Sequence, residues 1–229
     1  MDIDKSDILI ILPAYNEAQV IDNVLLDLKK HGYSNICVVD DGSTDDTSKI
    51  AHSHKIKVLK HPINRGAGAA IQTGIFYAKN RNFQYAILID SDGQHFPEDI
   101  ENLYVEMQNS GADIVIGNRF SNEENDIPNK RLRYNRIANM LTNFFCDNTY
   151  SDTQSGFRLL NRRVIEKLEL KNRGFGFCSE MIIEAEKLDL KIVETPIKVI
   201  YTEYSLHKGQ DFREGVRTAR SIIWRVLFD

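Results

Sequence analysis

Two aspartates one residue apart, in the stretch Asp90-Ser-Asp-Gly-Gln94, directly follow an apolar run at 84–90 that predicts a fully buried strand. Side chains no longer alternate between faces where a chain leaves a sheet, so both carboxylates can converge on a hard divalent cation. Gly93 permits a tight exit, and Gln94 adds a neutral oxygen. Ligands made only of oxygen suit Mg²⁺ or Mn²⁺ shared with substrate phosphates. The alternative is a solvated turn without a metal.

Two further strands end in polar turns. An apolar run at 7–12 leads into Pro13-Ala-Tyr-Asn-Glu17, and a second run at 35–40 leads into Asp41-Gly-Ser-Thr-Asp-Asp-Thr47. The carboxyl ends of parallel strands gather at one edge of an open sheet, where α/β proteins bind their ligands. The sequence therefore predicts that these turns and the aspartate pair form one site.

A glycine-rich stretch, Asn64-Arg-Gly-Ala-Gly-Ala69, precedes a predicted helix. Backbone N–H groups at a helix N-terminus can bind phosphate, and the Arg65 guanidinium can neutralise a diphosphate. The glycine spacing matches neither the dinucleotide fingerprint nor the phosphate loop of ATPases. An ordinary glycine-rich helix start is the alternative.

Several other polar residues have two readings each. Asp41 is either a ligand of a nucleobase or ribose or a carboxylate at a helix start. Asp152 either caps a turn or lies opposite the metal site. Arg119 ends the run at 112–117 and Arg133 follows it, so both are candidates to receive an anionic substrate.

Strand-like and helical segments alternate along the first half of the chain. The predicted strands lie at about 8–12, 35–40, 56–60, 84–90 and 112–117, and the predicted helices at 17–31, 44–54, 66–81 and 97–110. This alternation predicts an α/β fold, a mostly parallel sheet flanked by helices. Glu17 is expected to open the first helix, and Ser43 or Thr44 to cap the second.

The regular alternation ends after Gly117. A polar loop at 118–136 is expected to lead into a helix, and a short strand to follow Asp152-Thr-Gln-Ser-Gly-Phe-Arg158. The remaining predicted elements are a helix near 176–188, an edge strand at 191–201 and a basic helix at 211–228.

Size and composition fit one soluble or peripheral domain. The 229 residues carry a net charge of −4, which argues against nucleic acid as a partner. The cysteines Cys37, Cys146 and Cys178 are odd in number and scattered, which indicates free thiols in a reducing, cytoplasmic compartment. We expect neither a signal peptide nor a membrane-spanning segment, because no apolar run is long enough.

Five ordered motifs resemble glycosyltransferase family 2, and most closely its dolichyl-phosphate mannose synthase and polyprenyl-phosphate glycosyltransferase branch. They are Pro13-Ala-Tyr-Asn-Glu17, Val39-Asp-Asp-Gly-Ser-Thr-Asp45, Asn64-Arg-Gly66, Asp90-Ser-Asp-Gly-Gln94 and Asp152-Thr-Gln-Ser-Gly-Phe157. The resemblance implies a single-domain, Rossmann-like GT-A fold, with a nucleotide-binding half at about 7–117 and an acceptor half at about 118–205. It also implies a UDP- or GDP-linked sugar donor, a divalent metal and inversion at the anomeric carbon.

The resemblance also implies roles for individual residues. The nucleotide-sugar is expected to contact Pro13, Ala14, Tyr15, Glu17, Asp41, Arg65, Asp90 and Ser91. The metal is expected at Asp90, Asp92 and Gln94. The groups expected to act in catalysis are Asp92, Asp152, Arg119 and Arg133, of which the two arginines match the positions that grip the acceptor phosphate.

The acceptor is open between two chemistries. A polyprenyl or dolichyl phosphate is already ionised and needs no base, so Arg119 and Arg133 would align it. A sugar hydroxyl needs a base, for which Asp152 and Glu180 are the candidates. The arginine pair favours the phosphate, and the absence of a Gln-x-x-Arg-Trp motif disfavours a processive polysaccharide synthase. A nucleotidyltransferase and a non-catalytic nucleotide-sugar-binding protein are further alternatives.

A lipid acceptor would require contact with a membrane surface or with a membrane-protein partner. The predicted helix at 211–228 has one basic face (Arg213, Arg217 and Arg220) that also carries Trp224, which suits an anionic interface. Residues 137–145 are either a second apolar contact with the membrane or part of the core.

Overall fold

A computed structural model describes residues 4–202 and 204, so the predicted basic helix at 211–228 lies outside the described residues. The strands are β1 (Ile8–Ala14), β2 (Ile36–Asp40), β3 (Lys57–Lys60), β4 (Tyr85–Leu88), β5 (Ile114–Asn118), β6 (Arg158–Asn161) and β7 (Ile192–Pro196). The α-helices are α1 (Ile21–Lys30), α2 (Thr47–Ser53), α3 (Ala67–Asn80), α4 (Asp99–Ser110), α5 (Asn129–Asn143), α6 (Arg162–Lys167) and α7 (Phe177–Lys187).

The seven strands form one sheet in the order β3-β2-β1-β4-β6-β5-β7. Strand β6 runs antiparallel to its neighbours β4 and β5, and the other pairings are parallel. This confirms the predicted α/β class with a mostly parallel sheet, and β7 lies at an edge as expected. Strands from before and after residue 117 share this sheet, so the two halves are parts of one domain.

The reversed direction of β6 positions the acceptor half. Arg158, its first residue, pairs with Leu88 near the end of β4 and with Ile116 near the end of β5. Residues 152–157 therefore arrive at the edge of the sheet where the parallel strands end. The sequence predicted this strand but gave no sign of its central, antiparallel place.

Apolar residues cover both faces of the sheet, as expected for strands packed between helices. On one face Ile8, Ile10 and Leu12 pack with α1 and α4, and on the other Leu9 and Ile11 pack with α3, α6 and α7. All five are almost fully buried. Each such side chain stabilises the fold by about 1.5–3 kcal/mol relative to an exposed one.

Three predicted helix starts were wrong. Helix α5 begins at Asn129, inside the loop expected at 118–136. Helix α1 begins at Ile21, and Glu17 lies in the preceding turn, where its carbonyl accepts bonds from the Val20 and Ile21 amides. Helix α2 begins at Thr47 with Asp46 as its N-cap residue, so neither Ser43 nor Thr44 caps it. The Ser43 side chain instead bonds the turn after β1. No helix in the described part of the chain is long and apolar enough to cross a membrane.

Candidate active site

The turns after β1 and β2 are locked together by side chains. The Asn16 amide donates to Ser43 Oγ at 2.9 Å, and the Glu17 amide donates to Thr47 Oγ1 at 2.8 Å. The turn after β2 thus satisfies N–H groups that would otherwise have no partner at the sheet edge. Tyr15, the first residue after β1, is 43% exposed. Ser43, for which the sequence predicted only a helix-capping role, and Thr47 thus help to build the site.

Asp41 supports the glycine-rich loop. One carboxylate oxygen accepts from the Arg65 amide at 2.9 Å and lies 2.6 Å from His61 Nδ1, and the other accepts from the Gly66 amide at 2.7 Å. The carboxylate is buried, so both oxygens already serve the protein. Asp41 thus orients the loop that carries the exposed Arg65, and its own contact with base or ribose stays a prediction.

The N-terminus of α3 faces protein. The Ala69 amide donates to the Arg173 carbonyl at 3.2 Å, and a Cβ atom on Gly68 would collide with the Asn172 carbonyl. These glycines admit the close approach of the segment 172–174. The contacts agree with the alternative of an ordinary glycine-rich helix start, and Arg65 stays the loop's predicted contact for a diphosphate.

Asp90 and Asp92 follow β4 at the centre of the sheet edge. Burial and the charge of Asp90 raise the pKa of Asp92 to about 6. Burial also opposes ionisation of Asp90, but His95, Arg119 and Arg158 together hold the pKa of this carboxyl below its usual value. The surrounding cations therefore stabilise the charged form of Asp90 more than the charged form of Asp92.

The residues between and after this pair orient it. Gly93 has a φ of +75°, a conformation that suits glycine, as the tight exit requires. Gln94 donates to Asp92 twice, from its backbone amide at 3.1 Å and its side-chain amide at 2.7 Å. Ser91 is buried and its hydroxyl donates to the Pro13 carbonyl at 2.7 Å, so its side chain joins the turns after β1 and β4. Its contact with the nucleotide stays a prediction.

These residues fit a divalent cation. The described residues contain no group of three or more His, Cys, Asp and Glu side chains placed to hold a metal. The candidate metal ligands are therefore the two carboxylates and Gln94. Mg²⁺ commonly takes one or two protein carboxylates and completes its shell with substrate phosphates and water. The pKa of Asp92 is raised first by burial and then by the charge of Asp90, and a cation bound between the two carboxylates would relieve that repulsion.

The segment before β6 closes over Asp90. A Cβ atom on Gly156 would lie 2.5 Å from an Asp90 carboxylate oxygen, so only glycine fits here without displacement. The His95 ring lies against Phe157, with centroids 5.0 Å apart, and its Nε2 is 3.6 Å from Asp90. His95 Nδ1 is buried without a hydrogen-bond partner among the described residues.

Asp152 and Arg119 form a buried ion pair. Arg119 donates from Nε at 2.8 Å and from Nη2 at 2.7 Å to the two Asp152 oxygens, and its backbone amide adds a third bond. The Asp152 side chain is fully buried. Asp152 thus orients the Arg119 guanidinium, and its role as a base stays a prediction.

Arg158 is a functional candidate that sequence reasoning missed. Its fully buried guanidinium donates to the carbonyls of Thr153, Ser155 and Cys178 at 2.8–2.9 Å. It thereby fixes the segment that carries Asp152 and places a positive charge beneath the site. A charged residue in an otherwise apolar strand was the available signal.

Glu180 and Glu17 also have partners inside the protein. Glu180 accepts from the Lys171 and Asn172 amides at 2.9 and 2.8 Å, so its carboxylate fixes the segment that packs on α3. Glu17 accepts from the Tyr204 hydroxyl at 2.8 Å, which ties the end of the described chain to the first motif. No sequence pattern indicated this tyrosine.

A cavity of about 480 Å³ opens beside Arg119. Arg136 lines it, whereas the predicted Arg133, one turn earlier on α5, is not among the lining residues. Leu132, Ile127 and Phe120 add apolar surface, and the other lining residues are Asn122, Glu123, Asn125, Asp126, Asn139 and Ser151. The cavity thus joins two guanidinium groups to apolar walls.

Comparison with known proteins agrees with this geometry. A dolichyl-phosphate N-acetylglucosaminyltransferase of Methanococcus voltae, which uses UDP-N-acetylglucosamine, is 34% identical over 96% of this chain and 94% of its own. A polyprenol monophosphomannose synthase of Mycolicibacterium smegmatis is 28% identical over 91% and 83%.

The fold is shared with a solved structure of glucosyl-3-phosphoglycerate synthase from Mycobacterium tuberculosis in complex with Mn²⁺ and UDP-glucose. Its TM-score is 0.70 at 19% identity, over 96% of this chain and 77% of that one, which supports the GT-A fold. The model of the family described as Glycosyl transferase family 2 matches residues 9–169, which is well over half of the 229 residues. The chain therefore belongs to glycosyltransferase family 2 and is a glycosyltransferase.

Proposed function

We propose that this glycosyltransferase moves a sugar from a UDP- or GDP-linked donor to a polyprenyl or dolichyl phosphate, with inversion at the anomeric carbon. Two relatives support this acceptor: the name of the Methanococcus voltae protein contains dolichyl phosphate, and the Mycolicibacterium smegmatis protein is named as a synthase of polyprenol monophosphomannose. A divalent cation, Mg²⁺ or Mn²⁺, is proposed at the aspartate pair, and the Mn²⁺ in the solved relative supports it. The free cysteines support a cytoplasmic site of action.

One observation carries the choice of acceptor. Both carboxylates that the sequence offered as a base for a sugar hydroxyl are engaged, Asp152 by the Arg119 guanidinium and Glu180 by two backbone amides. A phosphate monoester is anionic near neutral pH and needs no base. It needs cations, and the cavity beside Asp152 offers Arg119 and Arg136.

In the proposed reaction, an acceptor phosphate oxygen attacks the anomeric carbon from the side opposite the leaving group. The new bond joins that carbon to the phosphate oxygen, and the bond to the nucleoside diphosphate breaks with its electron pair. Arg119 is held rigidly by Asp152, so it can orient the phosphate with little further loss of side-chain freedom. Arg136 is the second guanidinium proposed for this task.

The donor side uses the interlocked turns. We place the nucleoside against Pro13, Ala14 and Tyr15, and the diphosphate between Arg65 and the aspartate pair. When bound, the cation neutralises charge on the leaving diphosphate. Glu17 supports the turn through its bond with Tyr204, and Asp41 holds the loop of Arg65 in place.

A hydroxyl acceptor is the second candidate, because two exposed carboxylates line the cavity. Glu123 and Asp126 are the groups that such a reaction would use as a base. Purified protein should be assayed with Mn²⁺ and a panel of UDP- and GDP-sugars against a short polyprenyl phosphate, the matching polyprenol and simple sugars.

We expect product only from the phosphate, and Glu123→Gln and Asp126→Asn should each retain activity on it. Arg136→Gln should raise the KM for the prenyl phosphate, while Arg133→Gln, as its matched neighbour on α5, should have less effect. Turnover with sugars alone, lost on removing either carboxylate, would instead establish the hydroxyl acceptor.

A further inference from the structure

Helix α5 carries an apolar stripe that the described chain does not cover. Ile137, Met140 and Phe144 follow the spacing i, i+3 and i+7 and are 54%, 65% and 80% exposed. We call these three residues the α5 stripe. Side chains of this size at helical spacing on a surface indicate a contact with something apolar.

The α5 stripe lies next to the proposed acceptor cavity. Leu132, Arg136 and Asn139 line that cavity from α5 itself, also at helical spacing. Since each residue advances about 100° around a helix, the stripe lies roughly a quarter-turn from the cavity-lining side. Whatever contacts the stripe therefore also lies near the entrance to the cavity.

The charges of α5 select the kind of partner. The helix contains Lys130, Arg131, Arg133 and Arg136 and no acidic residue. Lys130 and Arg133 lie on the same side as the stripe, toward the N-terminal end of the helix. The nearest acidic residues in the sequence are Asp126, three positions before the helix, and Asp147, four positions after it. A cationic end joined to an apolar stripe is typical of helices that lie in an anionic lipid interface.

We propose that α5 is a membrane-docking helix, with the α5 stripe inserted among the acyl chains of an anionic bilayer and its cations at the headgroups. The proposal rests on the proposed function, because a lipid phosphate must pass from the bilayer into the cavity beside α5. A second copy of this chain is a poorer occupant, because a symmetric contact would bring the cations of two copies together.

The test uses the full-length protein and vesicles made of equal parts phosphatidylcholine and phosphatidylglycerol. We expect co-sedimentation at low salt that weakens as salt screens the cations. Met140→Ser combined with Phe144→Ser should weaken vesicle binding by about tenfold or more. Lys130→Gln combined with Arg133→Gln should weaken binding at low salt and reduce its dependence on salt.

The chain offers a matched control for lost apolar surface. Phe76 on α3 and Val105 on α4 are 62% and 50% exposed, so Phe76→Ser with Val105→Ser removes comparable side chains elsewhere. This control should bind vesicles as the wild type does. Equal loss of binding in the control and in the stripe variant would overturn the proposal.

Other outcomes separate the inference from the proposed function. Wild-type protein that stays in the supernatant, or a stripe variant that binds like wild type, overturns docking by α5; the second result would direct attention to residues 205–229. A dimer that only the stripe variant dissociates would assign the stripe to a second copy and also overturn the proposal.

With a water-soluble prenyl phosphate, the stripe variant should keep wild-type activity. Absence of that activity in the wild type, with stripe-dependent vesicle binding intact, would refute the proposed function and leave the docking surface standing.

Discussion

Asp92 shows how local charge prepares a residue for a ligand. Its pKa is raised to about 6, first by burial and then by the neighbouring Asp90. We predict that Asp92→Asn lowers sugar transfer by about a hundredfold or more, equivalent to about 2.7 kcal/mol of barrier, because one anionic ligand is lost. The fold should keep its stability, since a repulsion is removed and no core packing is lost. Steady-state rates and thermal unfolding measure both effects.

The exposed Asp46 on α2 supplies the control, and Asp46→Asn should leave turnover unchanged. Activity of Asp92→Asn within about tenfold of wild type would show that Asp92 is not a metal ligand.

The ion pair of Arg119 with Asp152 gives a second prediction at this scale. Asp152→Asn leaves a buried guanidinium without its counter-charge, so we expect a loss of about 3–5 kcal/mol in the free energy of unfolding. Arg119→Met with Asp152→Leu should restore part of that stability, although not activity. Denaturant titration measures the changes. A single variant as stable as wild type would mean that solvent already screens the pair.

At the scale of elements, the contact between α3 and the segment 172–174 depends on glycine. Gly68→Ala places a methyl group against the Asn172 carbonyl, so we predict a destabilisation of about 1–3 kcal/mol. Gly174 is the matched control, because a Cβ atom there meets nothing closer than 3.7 Å. Equal unfolding midpoints for Gly68→Ala and wild type would indicate that the segment can move aside without penalty.

The whole molecule should need a divalent cation for turnover. Its proposed site contains only oxygen donors from few side chains, so we predict that excess chelator stops transfer and that Mg²⁺ or Mn²⁺ restores it. The thermal midpoint should rise when metal and nucleoside diphosphate are added together, since both bind the folded state. Full activity in excess chelator would contradict the metal assignment.

The thiols give a further prediction for the whole molecule. Burial raises the pKa of Cys37 to about 12 and that of Cys178 to about 11, and burial together with Glu186 raises that of Cys146 to about 12. A raised pKa lowers the reactive thiolate fraction at neutral pH. All three should therefore react slowly with a thiol reagent in native protein and quickly after unfolding. Rapid native reaction of one cysteine would place it in an open, mobile region.

Local sequence determined the alternating elements, the acidic turns and the family. The β1, β2 and β4 turns were predictable because buried apolar runs bound them and because parallel strands end at one edge. The aspartate pair belongs to such a turn, so its place needed no knowledge of distant segments.

The tertiary structure decided which side chains already have partners. Asp152 is far from Arg119 in sequence, and only the antiparallel entry of β6 brings them together. The same holds for Asp41 beneath the glycine-rich loop. It also holds for Tyr204, whose bond to Glu17 joins residues 187 positions apart. Spacing along a chain reports which residues share a turn or a helix face. It cannot report the long-range partners that satisfy a buried charge, because those depend on how the sheet is assembled.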